Sequence, residues 1–198
     1  MILSEEQLDY FKEIINIGIG RSANTLNSIV ENRVTLKVPA VQLIRVSDLN
    51  EKIGYSKGIP QTTISMGFSG ELSGQVELVF PSKSALVITN KLANNEIPAL
   101  EMEQLRNSML NEIGNIVLNS LIGTLGNLLK IRFNFTVPKV SEYPVIERNI
   151  ANGSASDFVI LAETNFSVKD IGLEGTFILF FEIHSIEQFI ALLNKSMH

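Results

Sequence analysis

The chain contains no cysteine, which excludes disulfides and thiolate zinc sites and fits a reducing compartment, so the expected location is the cytoplasm. Histidine is nearly as scarce. His184 and His198 are the only two, too few for a histidine-rich metal centre. No apolar run approaches the ~18 residues that a membrane-spanning helix needs. The longest, FVILA and TFILFF, have the length and composition of strands. Positive charge is neither abundant nor clustered: 16 Lys and Arg face 21 Asp and Glu, for a net charge of −5. That balance argues against a nucleic-acid partner and leaves a protein partner open. The opening residues, MILSEEQLDYF, are acidic and lack a basic leader segment, so no signal peptide is expected.

What is present is enough apolar material for a substantial core: 198 residues, 45% of them hydrophobic, with a mean hydropathy of +0.21. A first helix is predicted to begin at Ser4, where Ser4 and Gln7 have capping-box spacing, and to run to about Val30. A strand over RVTLKVPAVQLIRV, a loop, a hairpin built from QTTISMGFSG and LSGQVELVF, and a short helix over PSKSALVITNKLA follow. After NNEIP the order recurs: a helix over about 100–129, a strand over KIRFNFTVPKVSEY, strands over DFVILAETNF and IGLEGTFILFFEI, and a helix over SIEQFIALLNK. The expected fold is therefore α/β: a single domain, 1–198, made of two α-β-β-β-α repeats, about 1–95 and 100–198. They are expected to be related by a pseudo-two-fold axis, with a largely antiparallel sheet of about six strands.

An offset of 99 residues superposes Glu13 on Glu112, Asn16 on Asn115 and Pro39 on Pro138. Asp9 and Ser108 occupy the matching position one helical turn earlier. At about 100° per residue, with Phe11 as zero, Ile14, Ile15, Gly18, Ser22, Thr25, Leu26 and Ile29 fall on one stripe of the first helix. Asp9, Glu13 and Asn16 fall opposite. In the second helix Leu110, Ile113, Gly114, Val117, Leu121, Thr124, Leu125 and Leu128 form the stripe, with Ser108, Glu112 and Asn115 opposite. A solvated helix face explains one such patch without any function. With average usage near 5% per residue type, however, the pattern D/S-x3-E-x2-N-x22-P arises on the order of once in 10⁵ start positions, and here it stands twice.

The doubled pattern, with the phrase NEIGNIVLNS, resembles the CheC, CheX and FliY phosphatases, which dephosphorylate the chemotaxis response regulator CheY. The resemblance covers essentially the whole chain. CheX-type members carry one motif per chain, and FliY-type members add flanking segments for which this chain has no room, so the CheC type is the most similar. The resemblance implies an aspartyl-phosphate phosphatase of chemotaxis signalling, with Glu13, Asn16, Glu112 and Asn115 as catalytic residues. Asn16 and Asn115 would each hold the attacking water, a task for which a carboxamide has both donors and an acceptor. Glu13 and Glu112 would engage the regulator's lysine. Asp9 and Ser108 would orient or contact the partner, and Pro39 and Pro138 would shape the neighbouring strand. The implied partners are a phosphorylated CheY-like receiver domain and the receptor deamidase CheD. No cofactor of its own is expected; Mg2+ would come on the regulator. The first site is expected to be the weaker, because Ile15 stands where the second has Gly114 and Asp9 where it has Ser108.

Other readings of these residues fit less well. GIGRSA matches a dinucleotide fingerprint but lies inside a helix rather than between strand and helix. Glu13 and Glu112 on two pseudo-symmetric helices would not face each other as a glycosidase pair must. The serious alternative is a non-catalytic module that binds a response regulator, similar to the flagellar-switch protein FliM's middle domain.

Overall fold

The computed structural model describes residues 3–30, 33–48, 60–83, 102–142, 158–168, 173–183 and 186–197. Helix α1, Glu5–Val30, opens on the expected capping box: the Ser4 amide donates to Gln7 Oε1 at 2.8 Å, and the Gln7 amide donates to Ser4 Oγ at 3.2 Å. Each bond satisfies a backbone donor at the helix start. Ser4→Ala is expected to cost about 1 kcal/mol of folding free energy, read as a lower midpoint in urea denaturation. Gln7 also donates from Nε2 to Asn194 Oδ1 at 2.7 Å, and Tyr10 donates its hydroxyl hydrogen to the Ser196 carbonyl at 3.1 Å. Both partners lie on the last helix, α3, Ile186–Met197. Beneath them Phe11 and Phe189 meet edge to face at 5.1 Å, so the two helices share one apolar seam.

Strand β1, Val34–Arg45, follows α1; β2, Gln61–Gly70, and β3, Gly74–Pro81, make the hairpin. The second long helix, α2, is Met102–Leu129. It ends on Lys130 in the left-handed region, φ 58°, with the Ile131 amide donating back to the Gly126 carbonyl. Then come β4, Phe133–Phe135, β5, Lys139–Ser141, β6, Phe158–Val168, and β7, Leu173–Ile183. The seven strands form one sheet in the order β1-β6-β7-β3-β2-β4, with β5 also on β2, and every pairing is antiparallel. The single strand expected over KIRFNFTVPKVSEY is thus two strands at one edge position. Pro138 has no N–H to give the ladder, and the chain breaks there. The helix expected over PSKSALVITNKLA lies almost wholly outside the described residues.

One face of the sheet carries the core. Ile64, Met66, Phe68, Val76, Leu78, Ile160 and Ala162 alternate along their strands and pack with Phe11, Ile14, Ile15 and Ile19 of α1 and with Leu110, Val117 and Leu121 of α2. The helices approach closely. A Cβ on Gly18 would lie 2.9 Å from Leu121 Cα, and Ser120 Oγ donates to the Gly18 carbonyl at 2.9 Å. A Cβ on Gly114 would run into Ile64 on β2, so the missing side chain sets the distance from α2 to the sheet. Thr25, expected on the buried stripe, is exposed. Leu118 and Ile122, outside the expected stripe, are fully buried, because α2 packs on α1 and α3 as well as on the sheet and is covered over a wider arc. Among the described residues no helix is long and apolar enough to cross a membrane.

Candidate active site

The two motif faces fold differently, and the difference starts in β1. Its apolar residues Val34, Leu36 and Val38 belong to the core in one alternation, and Val41 and Leu43 in the other. The pairing with β6 shifts between Lys37 and Ala40, so a bulge absorbs the change of parity. Pro39 sits in that bulge, exposed, where it removes no ladder bond.

Asn16 closes the bulge from the helix side. Its Oδ1 accepts from the Val38 amide at 2.9 Å, and its Nδ2 donates to the Val38 carbonyl and to the Lys12 carbonyl, each at 3.0 Å. Both N–H donors of the carboxamide are therefore committed. Asn16 was expected on the solvent face; it is half-buried, because it points sideways into the strand. A second asparagine, Asn27, accepts from the Val34 amide at 2.6 Å. The two side chains staple β1 along α1. Of the remaining first-motif residues, Glu13 is exposed and makes no hydrogen bond or ion pair with the described residues. Asp9 is exposed and paired with Lys12 Nζ at 2.6 Å, which offsets the negative charge that set it apart from Ser108.

The second motif lies along an open groove. Ser108, Asn111, Glu112, Asn115 and Asn119 line it from α2, and Phe135, Thr136, Val137 and Pro138 from the break between β4 and β5, around about 500 Å³. Ser108, Glu112 and Asn115 are exposed, and Pro138 is buried beneath its rim. The strand wall is fixed at Thr136, whose amide donates to the Gly67 carbonyl at 3.0 Å while its Oγ1 accepts from the Gly67 amide at 2.9 Å. Phe135 and Val137 remain turned outward, 45% and 79% exposed.

Among the described residues no staple crosses this groove. Gly126 stands where α1 has Asn27, and among the described residues Asn115 makes a single hydrogen bond, accepting at Oδ1 from Asn119 Nδ2 at 2.6 Å. Its own two N–H donors are uncommitted. Glu112 has no hydrogen bond or ion pair with the described residues. Asn111, which the helical pattern did not single out, contributes a buried Oδ1 with no partner among the described residues, an acceptor in the groove wall. The sequence signal for it was a run of asparagines at four-residue spacing, 111, 115 and 119. The groove thus gathers Ser108, Glu112, Asn115 and Pro138, and none of Asp9, Glu13, Asn16 or Pro39 lines it. Chemically it offers an unpaired carboxylate for a cation beside a carboxamide able to accept and donate.

No protein-family model matches the chain. It is 29% identical over 142 residues to the CheY-P phosphatase CheC of Bacillus subtilis (strain 168), covering 70% of this chain and 68% of that protein. It superposes on the crystal structure of Thermotoga maritima FliY with a TM-score of 0.77 and 21% identity, over 99% of this chain and 98% of that one. On the FliM middle domain from H. pylori the TM-score is 0.67 and the identity 14%, over 98% and 99%. The fold is one that chemotaxis and flagellar-switch proteins share. Within that class the sequence likeness is to CheC, and the superposition on FliY shows the shared fold.

Proposed function

We propose that this protein hydrolyses the aspartyl phosphate of a CheY-like receiver domain in the cytoplasm, and that the groove along α2 is where it does so. The observation that carries the reading is an Asn115 side chain with both N–H donors uncommitted beside a Glu112 carboxylate, neither donor nor carboxylate having a partner among the described residues, in one open groove. An aspartyl phosphate is an activated acyl phosphate, so its hydrolysis asks for a positioned water more than for a strong base. Asn115 accepts one hydrogen of the water at Oδ1 and donates from Nδ2 to a phosphoryl oxygen. The water oxygen attacks phosphorus, the bond from phosphorus to the aspartyl oxygen breaks, and the products are inorganic phosphate and the free carboxylate. Glu112 pairs with a lysine on the receiver and fixes the approach. Ser108 and Pro138 frame the groove.

The strand order supports a duplicated unit, which we infer for the whole chain. Exchanging β1 with β4 and β5, β6 with β2, and β7 with β3 reverses the sheet onto itself, and the 99-residue offset pairs the two motifs. On this reading Glu13, Asn16, Asp9 and Pro39 are the first copy's counterpart of the site, with Asn16 diverted to the strand.

The second reading, a docking module without catalysis, draws on the likeness in fold to the FliM middle domain. The two separate in one measurement. A phosphorylated receiver mixed with the protein is expected to lose phosphate at least ~10-fold faster than alone, with turnover beyond one equivalent. An unchanged rate with a measurable complex would overturn the enzyme reading in favour of the docking module.

A further inference from the structure

Asn119 lies outside the D/S-x3-E-x2-N-x22-P pattern, yet it holds the side chain that would position the water. Its Nδ2 donates to Asn115 Oδ1 at 2.6 Å, across one helical turn. A carboxamide is nearly symmetric in shape, and only its hydrogen bonds decide which end carries the donors. In the first copy the strand makes that decision through Val38. In the second no strand group among the described residues bonds Asn115, and Asn119 makes it instead. The position equivalent to Asn119 on α1 is Gly20, which has no side chain to offer.

We propose that Asn119 is a positioning residue for Asn115. It fixes the amide with Oδ1 along the helix and both N–H groups free, leaves one oxygen lone pair for the water, and confines the side chain to one rotamer before the partner docks. This rests on the reading of Asn115 given above. The charge-neutral bond also spares the groove a second carboxylate near the phosphoryl group. An aspartate at 119 could only accept, so it would draw Asn115 Nδ2 toward itself and turn the amide over.

The test compares Asn119→Ala, Asn119→Asp and Asn119→Gln with Asn115→Ala, using the full chain and a phosphorylated receiver. Asn119→Ala is expected to lower kcat about 10-fold, equivalent to ~1.4 kcal/mol of barrier, with KM and the melting temperature unchanged. Asn119→Asp should be as slow or slower, and Asn119→Gln should recover part of the rate because it keeps the donor. Full activity in Asn119→Ala, with Asn115→Ala inactive, would overturn this inference alone. Wild-type activity in Asn115→Ala would overturn the active-site reading and this inference with it. An Asn119→Asp variant as fast as wild type would show that the orientation of the amide is not what Asn119 controls. Loss of melting temperature and receiver binding in Asn119→Ala would assign it to structure and overturn the proposal.

Discussion

Asn115→Ala is expected to slow phosphate release by about 10²-fold or more, while Asn16→Ala stays within a few-fold of wild type at a temperature where both variants are folded. The magnitude follows from what the amide would do. Holding a water in line removes orientational freedom from the reacting pair and places a donor where charge builds on a phosphoryl oxygen; each effect alone is worth a few kcal/mol of barrier. The asymmetry follows from hydrogen bonding. Among the described residues Asn115 has both N–H groups free and faces a groove, whereas Asn16 has both engaged with backbone carbonyls. To position a water, Asn16 would have to release Val38 first. Receiver binding should survive in Asn115→Ala, because Glu112, Phe135 and Val137 supply contacts outside the amide. Single-turnover decay of phospho-receiver with the two single variants and their double decides it. Equal losses would mean that Asn16 leaves the strand when the partner docks, and a larger loss from Asn16→Ala would reverse the ranking.

Much of this architecture was legible in the sequence because local chemistry and global fold agree. Ser4 and Gln7 cap the helix that they mark, the apolar period puts Phe11 and Leu110 in the core, and each strand run except KIRFNFTVPKVSEY appears as one strand. The miss at Asn16 has a definite cause. A helical projection gives an angle about one axis and treats everything far from the apolar stripe as solvent. A side chain at about 140° from the stripe's centre lies on the flank, where a neighbouring strand can reach it. That strand announces itself only as a slip in alternation, VTLKVPAVQL, in which apolar residues change parity across Pro39 and Ala40. RFNFTVPKV carries the same slip at Pro138, and there the strand breaks instead of bulging. The absence of any asparagine at 126 to pin that strand to α2 is a difference between the halves that a search for repeated residues passes over. The wide burial of α2 was hidden for a related reason: periodicity finds one buried stripe, and α2 is covered on several sides.

The first motif has a different expected signature, in stability rather than in rate. Asn16→Ala removes three hydrogen bonds, two of them to the Val38 amide and carbonyl in a half-buried bulge. Each bond contributes about 1 kcal/mol, and a polar group left unsatisfied costs more the less water can reach it. The bulge is partly open, so the expected loss is about 2–4 kcal/mol rather than the larger figure for a sealed site. At this chain length that corresponds to a fall of roughly 5–15 °C in melting temperature. Asn16→Asp separates the staple from mere loss of volume. Aspartate keeps the acceptor for the Val38 amide but turns its second oxygen on the Val38 and Lys12 carbonyls, so it should be at least as destabilising as alanine. Asn115→Ala, by contrast, frees no backbone group and should melt within a degree or two of wild type. Amide hydrogen exchange gives the local readout: Val38 should lose protection in Asn16→Ala and keep it in Asn115→Ala. Unchanged melting and unchanged Val38 protection in Asn16→Ala would mean that the bulge stands without its staple. Asn16 would then be free to take the role proposed for Asn115, and the two motifs would have to be ranked on activity alone.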